Sequence, residues 1–95
     1  MRPVNNFDVL QFEHLEFNTR PYGIGKQAVV QFKNGYGASV IQGEMSYGGR
    51  EGLFELAVYG KDGNISYSTP ITGDVLGYLT EDDVTETLVK ISKLE

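Results

Sequence analysis

The chain has 95 residues, no cysteine and a formal net charge of −5, with 40% hydrophobic and 22% charged residues. This is one domain of ordinary globular composition, with enough apolar material for one modest core. Disulfides, thiol catalysis and Cys-ligated metal centres are excluded. The acidic balance argues against direct nucleic-acid binding, which draws its affinity from Lys and Arg on phosphates.

Residues 1–11 read as an N-terminal arm, loosely ordered, before a single α+β domain over 12–95. The arm has no apolar h-region, so no signal peptide is expected. No apolar run approaches the roughly 20 residues of a membrane span. A cytoplasmic, non-membrane protein is the expectation.

Phe12 to Asn18 alternates, with Leu15 and Phe17 on one face and His14 and Glu16 on the other, which predicts a first strand. A turn around Arg20, Pro21 and Tyr22 follows. Lys26 to Lys33 predicts a second strand, with Ala28, Val30 and Phe32 sharing a face. Asn34-Gly35 and the strand from Tyr36 to Gln42 complete a hairpin, read as a type I′ turn because Asn and Gly tolerate positive φ. Residues 43–52 form a long, flexible Gly-rich loop. Leu53 to Tyr59 returns to alternation. Asp62-Gly63 turns the chain into a short last strand, Ile65 to Ser68, which Pro70 ends.

An extra helical turn is expected at Thr72–Val75. Thr80 then precedes Glu81, Asp82 and Asp83, a capping-box variant with Asp in the third position. Val84, Leu88 and Ile91 recur at helical spacing, and Lys90 and Lys93 sit where the helix dipole favours cations. The predicted fold is α+β: an antiparallel four- to five-stranded meander packed on one C-terminal helix. The expected core is Leu15, Phe17, Val30, Phe32, Val40, Phe54, Leu56, Val58, Val84, Leu88 and Ile91.

No catalytic, cofactor-binding or metal-binding constellation is present in the sequence. His14 is the only histidine, and an exposed strand position accounts for it. The acids Glu81, Asp82, Asp83 and Glu86 already serve a helix N-terminus. The 43–52 loop lacks the Gly-Lys-Ser/Thr of a phosphate cradle, and a strand rather than a helix follows it. An enzyme is therefore not expected. What remains is surface: Met45, Tyr47 and Arg50 in the loop are interface-type residues. Tyr22, Tyr36, Tyr47 and Tyr59 each stand beside glycine near a strand end. Arg20, Tyr22, Tyr36, Met45, Tyr47 and Arg50 are the candidate binding residues.

Four runs carry a resemblance. They are 13–17 (EHLEF), 34–40 (NGYGASV), 54–58 (FELAV) and 69–80, where Thr-Pro-Ile-Thr leads to Gly-Tyr-Leu-Thr. Over residues 12–94 the chain resembles a family of small accessory proteins of tailed bacteriophages. It departs from that pattern at Gly73, where an acid is expected, and in its longer N-terminal arm. The resemblance carries over no functional residues. It implies a non-enzymatic protein that binds and inhibits a bacterial host or defence protein. The acids at 81–83 and 86 imitating nucleic acid toward a basic partner is one version of that activity. The alternative is a self-assembling structural or assembly component of a phage particle, a homo-oligomer joined through a free strand edge.

Overall fold

The computed structural model describes residues 6–21, 25–71 and 74–95. Among them are six strands and one helix: β1 Asn6–Phe7, β2 Asn18–Arg20, β3 Gly25–Gln31, β4 Gly37–Gln42, β5 Phe54–Tyr59, β6 Leu76–Leu79 and α1 Glu81–Ser92. All six strands form one sheet in the order β1-β3-β4-β5-β6, with β2 also on β3. The fold is α+β, a mostly antiparallel sheet under one C-terminal helix.

The register assigns side chains to two faces. Val30, Ala38 and Val58 lie opposite one another on the inner face, as do Ala28, Val40 and Leu56. Val84, Leu88 and Ile91 of α1 close over them, and all nine are fully buried. The outer face carries Val29, Ser39 and Ala57 in a central row, with Gln27, Ile41 and Glu55 beside it.

Both hairpins use the same chemistry. In Lys33-Asn34-Gly35, the Gly35 amide donates to Phe32 O (3.1 Å) and the Phe32 amide to Tyr36 O (2.9 Å). In Lys61-Asp62-Gly63, Gly63 donates to Gly60 O (3.0 Å) and Gly60 to Asn64 O (2.8 Å). Only the glycine of each turn has positive φ, 92° at Gly35 and 85° at Gly63. These are three-residue loops closed by a glycine bulge, not the expected type I′ turn; Asn34 stays out of the left-handed region.

The first predicted strand is not formed. Phe12–His14 is a 3-10 turn, and the strand begins only at Asn18. The alternation of Leu15 and Phe17 arises instead from an irregular segment that leans on the core's edge: both side chains are half-buried against it. Phe12, Phe17 and Phe54 cluster there with ring centroids 4.8–5.9 Å apart. The Lys26 ammonium lies 4.8 Å from the Phe17 centroid.

Part of the N-terminal arm joins the sheet. Asn6–Phe7 pairs with Val30 and Gln31 in parallel, which makes the sheet mixed. Buried Asn6 donates to Glu16 O (3.1 Å) and Val29 O (3.2 Å) and accepts from the Glu16 amide (2.8 Å). One side chain thus substitutes for ladder bonds that a two-residue strand cannot make.

The predicted last strand shrinks to a single bridge between Tyr59 and Ile65. The sheet is completed instead by Leu76–Leu79, which pairs with β5. Of the expected helical turn at 72–75, Thr72 and Gly73 lie outside the described residues, and Asp74 and Val75 are not helical. The capping box forms as read: Asp83 N donates to Thr80 Oγ1 (3.1 Å) and Thr80 N to Asp83 Oδ2 (3.0 Å).

Candidate functional site: an aromatic ledge at the loop end

Strand directions give the molecule two ends. β3 and β5 run toward the two hairpin turns, and β4 and β6 run away from them. The 43–52 loop and the start of α1 therefore share the far end. The last turn of α1 returns to the hairpins, where Asn34 Nδ2 donates to Ile91 O (2.8 Å) and Leu94 O (3.0 Å).

The loop is built rather than slack. Buried Ser46 accepts from the Gly43 amide (2.9 Å) and donates to Gly43 O (3.0 Å). Gly49–Glu51 adds a 3-10 turn between Gly48 and Gly52, both left-handed. The Leu53 amide donates to Gly48 O (2.9 Å) and closes the loop. Backbone bonds and one buried hydroxyl set the shape of this long connection.

The loop folds back onto the outer face of β5 and β6. The Tyr47 amide donates to Glu55 Oε1 (2.9 Å), and the Tyr78 amide donates to Tyr47 O (3.2 Å). Two dipeptides then interlock. The Tyr47 side chain lies directly on Gly77, and a methyl group on Gly48 would stand 3.0 Å from the Tyr78 ring. Glycine is required at both places, because a Cβ would occupy space that the opposing tyrosine fills.

Tyr78 carries the strain of this arrangement. Leu79 pairs with Phe54 and Leu76 with Leu56, so β6 has one residue too many and bulges. The bulge puts Tyr78 at φ 56°, a left-handed conformation that costs a bulky residue roughly 1–2 kcal/mol. Glycine is the usual occupant of such a bulge position. Here the glycine stands one residue earlier and the tyrosine takes the strain. Tyr47 is 58% exposed and Tyr78 60%, and Met45, two residues before Tyr47, is 78% exposed.

The six expected binding residues separate into groups. Met45, Tyr47 and Arg50 lie at the loop, with Arg50 exposed in its 3-10 turn. Arg20 lies across the sheet on β2, where Nε donates to Gln27 Oε1 (2.9 Å), and Gln27 in turn donates to Ser39 Oγ (2.8 Å). Tyr22 lies outside the described residues. Tyr36 is at the opposite end, packed half-buried against the core, with the Lys61 ammonium 5.4 Å from its ring centroid. There it lines a cleft of about 450 Å³ between the hairpins, together with Lys61, Tyr67 and Thr69. The residue absent from the sequence reading is Tyr78. The reversed order of Gly77-Tyr78 against Tyr47-Gly48 was its signal.

Charged residues of both signs stand at each end. Glu44, Glu51 and Glu55 surround the loop, and Glu81, Asp82 and Asp83 open α1 directly after β6. At the other end, Lys33 and Lys61 sit at the hairpin turns and Lys90 and Lys93 at the helix C-terminus. Arg20, Lys26 and Arg50 lie at the loop end, and Asp8, Asp62 and Glu95 at the hairpin end, so the acids and bases are not sorted along the strands. Asp83 accepts the Thr80 amide, and that bond with the Thr80 hydroxyl holds its carboxyl below the ordinary 3.8.

His14 is exposed on the 3-10 turn, and the expected strand face shared with Glu16 does not exist. Among the described residues, no three His, Asp or Glu side chains are grouped to hold a metal ion. No helix among them is long and apolar enough to cross a membrane. No protein-family model, no curated protein and no solved structure matches the chain.

Proposed function

We propose that this chain is a phage-encoded, non-enzymatic binding protein that engages a bacterial protein in the cytoplasm and inhibits it. The ledge of Met45, Tyr47 and Tyr78 is its docking surface. One observation carries the reading: the fold holds Tyr78 at φ 56° while leaving most of its ring in water. Strain retained at an exposed residue is the pattern of a functional site, since packing alone gains little from it. Rigid tyrosines supply contact area at low entropy cost, and Met adapts to irregular surfaces. The resemblance to small phage accessory proteins supplies the class of partner.

The edges of the sheet favour this reading over self-assembly. β2 has three residues, and β6 has four with a bulge in the middle. Short, kinked edge strands are poor templates for adding another chain.

Capture on the tagged protein from bacterial lysate tests the proposal. One stoichiometric bacterial protein retained by wild type and lost with Tyr47→Ala or Tyr78→Gly is the expected result. Retention by both variants, or recovery of the chain with itself alone, overturns it.

A further inference from the structure

We infer that the cleft between the two hairpins is a binding site for a neutral saccharide. It lies at the end of the sheet opposite the ledge, so it goes beyond the docking surface and does not depend on it.

Three features lead to it. The first is a braced floor. The Lys61 stem lies across Gly35, where an added methyl group would stand 3.1 Å from its Cγ, and its ammonium rests 5.4 Å from the Tyr36 ring centroid. The two hairpins thus hold each other, and a cleft of about 450 Å³ opens beside the contact. That volume falls within the roughly 300–1,000 Å³ of small-molecule sites.

The second is the chemistry of the lining. Tyr36, Ser66, Tyr67, Ser68 and Thr69 all carry hydroxyls. The Ser66 hydroxyl accepts the Ser68 amide (3.4 Å) and the Thr69 hydroxyl accepts the Ile71 amide (3.3 Å), so each keeps its proton to donate. Asp62 accepts from the Asn64 amide (3.1 Å) and from Asn64 Nδ2 (3.5 Å), which leaves about half of its roughly four acceptor positions open. Donors and acceptors therefore stand side by side, as sugar hydroxyls require, since each of them both gives and accepts a hydrogen bond. The charges of the lining, Lys61 and Asp62, cancel. In a chain of net charge −5, such a lining selects neither an anion nor a cation. An apolar ligand would cover these hydroxyls without pairing them, at a cost in free energy.

The third is Tyr67, which lines the cleft and is 57% exposed. A pyranose ring is apolar on its C–H face and polar around its edge. An aromatic ring gives that face a flat, rigid platform at low entropy cost, while the edge hydroxyls reach the serines and threonine beside it.

The test is a titration of the isotope-labelled protein with maltose, cellobiose and N,N′-diacetylchitobiose, followed by amide shifts. Inorganic phosphate and deacetylated, cationic chitobiose serve as charged counterparts. At least one neutral disaccharide should shift Tyr36 and residues 60–69 with a Kd of about 0.1–10 mM, while residues 44–51 and 76–79 stay unmoved. Both charged probes should bind at least threefold more weakly. Tyr67→Ala, at an exposed position, should keep the spectrum of the folded protein and weaken binding at least tenfold; Thr69→Val should weaken it about threefold. Absence of shifts with all three neutral disaccharides at about 50 mM overturns the inference. So does tighter binding of phosphate or of the cationic sugar, or unchanged affinity in folded Tyr67→Ala.

Discussion

The Asn34 amide donates to Ile91 O at 2.8 Å, across 57 residues of sequence, and so ties the first hairpin turn to the end of α1. Its second bond, to Leu94 O at 3.0 Å, covers a carbonyl just beyond the helix, and Ile91 O also accepts from the Leu94 backbone N–H (3.1 Å). The same side chain accepts the Tyr36 amide at 3.0 Å, so it sets the turn as well. Asn34→Ala should cost about 1–3 kcal/mol in a urea titration, since three backbone groups lose partners. Asn34→Asp should cost at least as much, because a carboxylate cannot donate to the two carbonyls. An unchanged midpoint in both variants would show that water replaces these bonds freely.

The helix should hold the sheet through Leu88. Its side chain is fully buried among residues of β3, β4 and β5 that form the core. Leu88→Ala should cost about 2–5 kcal/mol, with the slope of the denaturant transition unchanged. A cost near zero would contradict the packing of α1 on the inner face.

The other end of α1 gives a pH signature. Thr80→Ala should cost about 1 kcal/mol by removing the cap. Asp83 is held below the ordinary 3.8 by the Thr80 amide and hydroxyl. A lowered carboxyl stabilises the fold when ionised, so its contribution is complete above pH 3.8 and is lost as the pH falls through the folded value. The stability gap between wild type and Asp83→Asn should therefore be constant near neutrality and close in acid. A gap that widens in acid would reverse the assignment.

Much of the fold was legible because local chemistry and tertiary contacts agree. Lys33-Asn34-Gly35 and Lys61-Asp62-Gly63 each place a glycine where the chain needs positive φ. Thr80 and Asp83 mark the helix start, and Val84, Leu88 and Ile91 mark its buried stripe. The misread segments are those where alternation came from something other than a ladder. Leu15 and Phe17 alternate because an irregular segment lays both on the core edge. Leu76-Gly77-Tyr78-Leu79 was invisible as a strand, because its glycine faces Tyr47 and its bulge breaks the period of two. Asn6, in a polar arm, gave no sign that its amide would be buried at the edge of β3.

The ledge was half legible for a related reason. Met45, Tyr47 and Arg50 stand in one loop, so residue type alone picked them out. Tyr78 joins them only through the fold, from a segment thirty residues further on. Arg20 and Tyr36 carry the same kinds of side chain, but the sheet sends them to another strand and to the opposite end. Residue type identifies surfaces suited to binding; topology decides which of them act together.

Buried Asn6 of the arm supplies an independent check on the sheet edge. Asn6→Leu removes the partners of Glu16 N, Glu16 O and Val29 O. The expected cost is about 1–3 kcal/mol. Hydrogen exchange should quicken at Asp8, whose amide donates to Gln31 O at 2.9 Å, while amides in the β4–β5 ladder keep their protection. Uniform acceleration across the whole sheet would mean that the arm is part of the cooperative core.

The most direct test of the docking surface is Tyr78→Gly, measured for both stability and binding. Glycine relieves the strain of φ 56° but frees the unfolded chain and loses the contact with Gly48. These effects oppose, so stability should stay within about 1 kcal/mol of wild type. Affinity for the captured bacterial partner should fall at least tenfold, the loss expected of a central tyrosine. A stable variant that has lost its partner is the result the account predicts. A stable variant that binds as wild type does would contradict it and leave the strained tyrosine without a role in binding.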